Sequence, residues 1–201
     1  GIDLARPMLD TCRKKINNLS DDVRERIELV HGDIREFSLD QKYNLAILPF
    51  RVFQHLIEVE DQLSCLACIR RHLNPGGLMI LDLFNPSLPR LVDDRFLEEF
   101  GEEPEFEMPD GRRVIRKFKN NKRDCFRQVF EVELIYYVTH PDGTKERQVH
   151  AFPFRYFFRY ELEHLLARTG FEVIDLYADY DKSKFGSKDP GELIFIARKY
   201  K

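Results

Sequence analysis

Three kinds of side chain in this sequence stand where they can do chemistry. The first is a carboxylate. The chain begins Gly1-Ile2-Asp3, an apolar β-branched residue followed by an acid just where a strand would end. Met8, Leu9, Cys12 and Ile16 then recur at helical spacing, and Pro7 falls in a first turn whose N–H has no partner in any case. An acid between a strand end and a helix can accept hydrogen bonds from both hydroxyls of a ribose; its competing role is a charge favoured by the helix dipole. The second kind is the pair Arg51 and His55 in PFRVFQHL. Arg51 can grip an anionic substrate or stand as a solvated loop charge, and His55 can act as a general base or pack on the helix it enters. The third kind is aromatic: FPFRYFFRY places Phe152, Phe154, Tyr156, Phe158 and Tyr160 on one face if a strand runs that far. Such a wall suits a lid over a small substrate or a cationic amine, and equally a sheet-on-sheet core.

Other clusters point away from chemistry. Cys65 and Cys68 in CLAC have the spacing of half a zinc site, but no second pair follows and both fall within a helical pattern. They read as buried helix cysteines, and no metal centre is expected. The four cysteines show no disulfide framework, which predicts a reduced, cytoplasmic compartment. RRVIRKFKNNKR packs seven basic residues into twelve, a possible nucleic-acid contact. Acids precede it in EEFGEEPEFE and the net charge is -3, so a solvated hairpin tip is the better reading. No apolar run approaches the ~18 residues of a membrane span.

These residues need elements to hold them. RIELVHGD (26–33), YNLAILPF (43–50) and LMILDLF (78–84) read as strands, with an amphipathic helix in EDQLSCLACIRRHL (60–73) stopped by NPGG. The last of these strands is apolar nearly throughout and so buried on both faces. Alternation of this kind predicts a mostly parallel sheet with crossover helices. From about 105 to 158 the period changes to two, and KNNKRD and HPDGTK act as turn signals for a three-stranded antiparallel insertion. A helix over 159–170 and two strands, 171–180 and 192–199, complete the chain; their short connection predicts antiparallel pairing. The expected organisation is a core over 1–104, a β insertion over 105–158, and the end of the core over 159–201.

Four segments in this order, GIDLARPML, GDIREF, YNLAILPFRVFQHL and LNPGGLMILDLFNP, resemble those of class I S-adenosylmethionine-dependent methyltransferases. The resemblance implies an α/β, Rossmann-like fold with an antiparallel last strand and an inserted lid. It implies S-adenosyl-L-methionine as cofactor and N- or O-methylation of a small molecule. Asp3 and Leu4 would lie at the ribose, Asp33 at the adenine amino group with the backbone of Ile34 facing the ring, and Met8 beside the base. Pro49 and Phe50 would face the methyl donor, and Arg51, His55 and Tyr156 the acceptor. Methyl transfer asks mainly for alignment, worth ~7–11 kcal/mol, so the lack of an obvious catalytic motif does not oppose this. The family's first strand and Gly-rich loop have no counterpart here and are expected ahead of Gly1. Without them the strand at 43–49 should expose an edge with Ala46 and Leu48, inviting a second copy of the chain. A nucleic-acid substrate, or a fold relative that binds no cofactor, are the alternatives.

Overall fold

The computed structural model describes residues 1–101 and 103–200. In chain order it runs β1 (Ile2–Asp3), α1 (Arg6–Ile16), α2 (Asp21–Arg24), β2 (Val30–His31), β3 (Tyr43–Leu48), α3 (Val59–His72), β4 (Leu73–Phe84) and α4 (Leu88–Val92). The inserted strands follow: β5 (Phe106–Glu107), β6 (Arg113–Asp124), β7 (Val129–Thr139) and β8 (Lys145–Arg155). Then come α5 (Arg159–Arg168), β9 (Phe171–Tyr177) and β10 (Glu192–Lys199).

β3 and β4 are parallel, and β10 lies between β4 and β9, antiparallel to both. This four-stranded sheet holds the main core. Met79, Leu81 and Leu83 of β4 and Phe195 of β10 are fully buried against Leu66 and Cys65 of α3 and Leu162 and Leu166 of α5. Each large side chain so buried contributes ~1.5–3 kcal/mol, which is why α3 and α5 dock although only one stripe of each is apolar. Cys68 is buried too and its thiol donates to the carbonyl of Phe37, as expected of a structural cysteine. The insertion is a separate antiparallel sheet in the order β5-β6-β7-β8.

Several boundaries differ from the sequence reading. Only Val30 and His31 of the run at 26–33 form a strand, paired in parallel with Ile2 and Asp3. α3 ends at His72, and Asn74 does not cap it. Instead Asn74–Gly77 bulge out of the β3–β4 ladder, between the pairs Tyr43–Leu73 and Leu45–Leu78. Gly76 adopts φ +76°, and a Cβ on Gly77 would press to 3.0 Å from the carbonyl of Asn74, so this bulge needs both glycines. KNNKRD is not a turn: β6 runs through it with an irregularity between Asn120 and Lys122, and the reversal comes at Cys125–Gln128, with Gln128 at φ 56°. HPDGTK does turn, and β5 adds a fourth short strand. β8 stops at Arg155, so the shared aromatic face ends at Phe154. Phe158 and Tyr160 belong to the start of α5.

The parallel pair β1–β2 is not hydrogen-bonded to the four-stranded sheet. β1 and β3 each leave one edge unpaired, and a groove separates them. The side chains left open along β3 are Leu45 and Ile47, 45% and 57% exposed. Leu48, expected to be open, is buried beneath α3, and Ala46 is half-buried against the same core. Leu45 and Ile47 are thus the more exposed pair, while all four residues from Leu45 to Leu48 border the groove.

Candidate active site

The groove between β1 and β3 encloses about 650 Å³, a volume suited to a nucleoside-sized ligand. It runs the length of β3, from Tyr43, His72 and Leu73 at one end to Pro49 and Phe50 at the C-terminal end, where α/β sheets bind ligands. Its walls are mostly apolar, with Met8 on one side and Pro49 and Phe50 on the other. Asp3 reaches it from the end of β1. One of its carboxylate oxygens accepts from the Ala5 N–H at 2.7 Å, which fixes the turn into α1 and leaves the second oxygen for a ligand. Ile34 lines the groove as well. Leu4 does not: its side chain is 66% exposed and only its carbonyl is engaged, with the His31 ring.

Asp33 departs from the expectation. It lies just outside the groove lining, and three contacts from the Arg35 side chain hold both its carboxylate oxygens at 2.7–3.0 Å while the Arg35 N–H adds a fourth. That side-chain pairing with Arg35 holds the carboxyl below its ordinary range. Arg35 also reaches Asp61 at 3.0 Å. Asp33 therefore organises the turn after β2, and the groove receives Asp3 and Ile34 rather than two acids.

The loop after β3 is the most constrained part of the site. Phe50 and Arg51 both adopt left-handed backbone, φ 56° and 62°, at ~1–3 kcal/mol for each residue. Asp82 holds them there. It stands near the C-terminal end of the largely apolar β4, is 4% exposed, and accepts from the Phe50 N–H at 3.0 Å and the Tyr180 hydroxyl at 2.8 Å through one oxygen. Burial, with Asp82 alongside, pushes the Tyr180 hydroxyl up to about 12, so it remains a donor. The twist turns the Phe50 ring outward, 89% exposed at the groove mouth, and sends Arg51 the other way. Arg51 does not line the groove; it pairs with Glu192 at 2.5 Å. Burial raises the Glu192 carboxyl even against that partner.

His55 ends the short 3-10 turn that follows, Val52–His55. It lines the groove and its ring lies 5.0 Å from Phe152 and 5.5 Å from Phe154 of the insertion. Desolvation, and then the nearby His150, lower its pKa, so it is neutral near pH 7 and able to take a proton. Gln54 beside it is fully buried; it accepts from the Phe84 N–H and donates to the Arg155 carbonyl, tying core to insertion. Tyr156 is not at the groove. It is 3% exposed, packs 4.9 Å from the Phe130 ring, and burial pushes its hydroxyl up to about 12. It belongs to a small second core with Phe84.

The basic run is not a solvated tip. Arg112, Arg113, Arg116 and Arg123 pair with Asp110, Glu105, Glu103 and Asp94, so the acids ahead of it and beside it neutralise much of its charge. No cluster of three or more metal-ligating side chains occurs among the described residues, and no helix among them is long and apolar enough to cross a membrane.

Asp82, Gln54, Tyr180 and Glu192 escaped the sequence reading. Asp82 alone carried a signal, as the one acid in an otherwise apolar strand expected to be buried on both faces. A charge there must have partners.

Residues 1–77 match the family described as a methyltransferase domain. Among curated proteins, the cypemycin N-terminal methyltransferase of a Streptomyces species is 35% identical over 87 residues, 43% of this chain and 33% of that protein. A dTDP-3-amino-3,4,6-trideoxy-alpha-D-glucopyranose N,N-dimethyltransferase of Streptomyces venezuelae is 27% identical over 82 residues, 41% of this chain and 31% of the relative. The matches thus span about a third of each relative's length. A crystal structure of an S-adenosylmethionine-dependent methyltransferase from Clostridium acetobutylicum shares the fold at TM-score 0.75 and 15% identity, covering 100% of this chain and 74% of that one.

Proposed function

We propose that this chain, which carries the methyltransferase-domain segment and takes the fold of class I S-adenosylmethionine-dependent methyltransferases, transfers a methyl group from that cofactor to a small molecule by in-line N- or O-methylation. The observation that carries the reading is the C-terminal end of the groove, where one carboxylate oxygen of Asp3 is left unengaged beside the apolar Met8, Ile34, Pro49 and Phe50. The donor set fits the cofactor's nucleoside: Asp3 for the ribose hydroxyls, and Met8 and Ile34 for the faces of the base. The bound sulfonium would supply an already activated methyl group. This chain's own residues then have two tasks. The loop Pro49–Phe50–Arg51, held by Asp82, defines the wall between the groove and the side from which an acceptor approaches. His55, neutral and in reach of the groove, accepts a proton if the nucleophile arrives as an ammonium or hydroxyl.

The relatives named above are an N-terminal methyltransferase and a sugar N,N-dimethyltransferase, which favours an amine as acceptor. Ion pairing of four arginines of the basic run argues against a nucleic-acid substrate, and the free cysteines fit a reducing, cytoplasmic setting. The open edge of β3 favours self-association. Titration calorimetry with S-adenosylhomocysteine tests the reading: weak binding to this chain alone, and micromolar binding that competes with S-adenosylmethionine once the β3 edge is paired, are expected. Absence of binding to a longer form of the protein with the β3 edge paired would leave only a fold relative that binds no cofactor.

A further inference from the structure

A second cavity of about 770 Å³ lies on the other side of the Phe50–Arg51 loop, between the C-terminal end of β4 and the insertion. Its walls are aromatic: Phe84 from β4, Phe96 and Phe100 from the segment after α4, and Phe118 from β6. One cation is set into them. The Arg90 guanidinium lies 5.0 Å from the centre of the Phe84 ring and 5.7 Å from each of Phe96 and Phe100. Among the described residues it has no carboxylate partner and no side-chain hydrogen bond, although such a group has five donors. The other charges in the cavity are engaged, Arg51 by Glu192 and Arg95 by Asp93. Desolvation and the proximity of Arg51 lower the Arg90 pKa, with the nearby Glu192 acting the other way.

We propose that this cavity is the acceptor site, that its ligand is a small molecule bearing a carboxylate on a flat, apolar body, and that Arg90 is the residue that takes the carboxylate. The physical reason is the asymmetry between rings and charge. Three rings satisfy the faces of the guanidinium, but its in-plane N–H groups still need acceptors, and a carboxylate matches their fork with two parallel bonds. The surrounding phenyl rings leave space for a planar body, and among the described residues lining the cavity the one acid, Glu192, already holds Arg51 through one of its oxygens. The role expected of Arg51 from its sequence position thus passes to an arginine 39 residues further on. As an acceptor site the cavity rests on the methyl-transfer reading; as a carboxylate site it does not.

The test uses 4-fluorobenzoate and its neutral isostere 4-fluorobenzamide, followed by fluorine NMR with the whole chain. The carboxylate is expected to bind at least tenfold more tightly than the amide, with an affinity that falls as salt is raised. Arg90→Gln should erase that preference, and Arg90→Lys should keep part of it. Equal binding of the two probes, no binding of the carboxylate, or an Arg90→Gln protein that still prefers the carboxylate would overturn the assignment. The comparison of the two probes on the unaltered protein needs no variant and decides the matter even if Arg90→Gln does not fold. S-adenosylhomocysteine titrated into the same samples separates the two readings. Loss of nucleoside binding with carboxylate binding intact removes methyl transfer and leaves the anion site, while the converse removes the anion site alone.

Discussion

Replacing Asp82 by alanine should move the loop after β3 while changing global stability little. Two hydrogen bonds to a charged acceptor, from the Phe50 N–H and the Tyr180 hydroxyl, would be lost at ~1.5–3 kcal/mol each, ~3–6 in total. Two gains oppose that loss. The buried carboxylate has one oxygen with no partner, and removing a buried charge recovers part of a desolvation penalty of several kcal/mol. Phe50 and Arg51 are also freed to leave left-handed backbone, which returns ~1–3 kcal/mol each. The opposing sums nearly cancel, so urea denaturation should show a change within ~1–2 kcal/mol of zero, in either direction. The loop itself should relax to ordinary φ, which breaks the Arg51–Glu192 pair and turns the Phe50 ring away from the groove. Trypsin cleavage after Arg51 should become faster, and nucleoside affinity should fall. A protein destabilised by much more than this, with trypsin cleavage and nucleoside binding unaltered, would make Asp82 a purely structural residue and refute the argument.

Asp3→Asn keeps an acceptor for the Ala5 N–H but removes the charge offered to a ribose. Calorimetry should show ~1.5–3 kcal/mol weaker S-adenosylhomocysteine binding, and unchanged affinity removes Asp3 from the site. The His55 pKa is lowered in the folded state, so below the unfolded value near 6.5 the unfolded chain binds more protons and stability falls as pH falls. Denaturation midpoints between pH 7 and 5 should decline less steeply for His55→Phe; identical slopes would show that the histidine is not desolvated. Ile47→Lys puts a charge on the open edge of β3, a standard block to strand pairing. Sedimentation should show less concentration-dependent association than for the unaltered chain, and equal association would place the contact elsewhere.

The elements most legible in the sequence are those whose burial shows as a local pattern. β4 was readable because its run is apolar but for Asp82, and α3 and α5 because their stripes recur at helical spacing. β7 and β8 were readable because a turn with Gly143 at φ +87° joins two alternating runs. The run at 26–33 misled because only two of its residues find a partner strand: β-rich composition reports a fitness for pairing, while pairing itself needs a neighbour. KNNKRD misled for the complementary reason. It is as polar as a turn, yet long-range pairing with Glu131 and Glu133 of β7 holds it extended.

The candidate site is less legible because its charges are allocated across the fold. Arg35 lies two residues from Asp33, near enough for the sequence to place an arginine beside the acid but not to show that the pair closes on itself. Arg51 meets its partner 141 residues away, and until Glu192 is placed, the same arginine reads as a free grip for an anion. Arg90 is the reverse case. In SLPRLV it looks like one more solvated charge on a short helix, and only the convergence of β4 and the segment after α4 walls it with rings, with no carboxylate paired to it among the described residues. Whether an arginine serves the fold or a ligand thus depends on how acids are distributed around it in space. Glu192 bears on both cases: by engaging Arg51 it keeps that cation from a substrate, while toward Arg90 it acts only as a nearby charge and forms no ion pair.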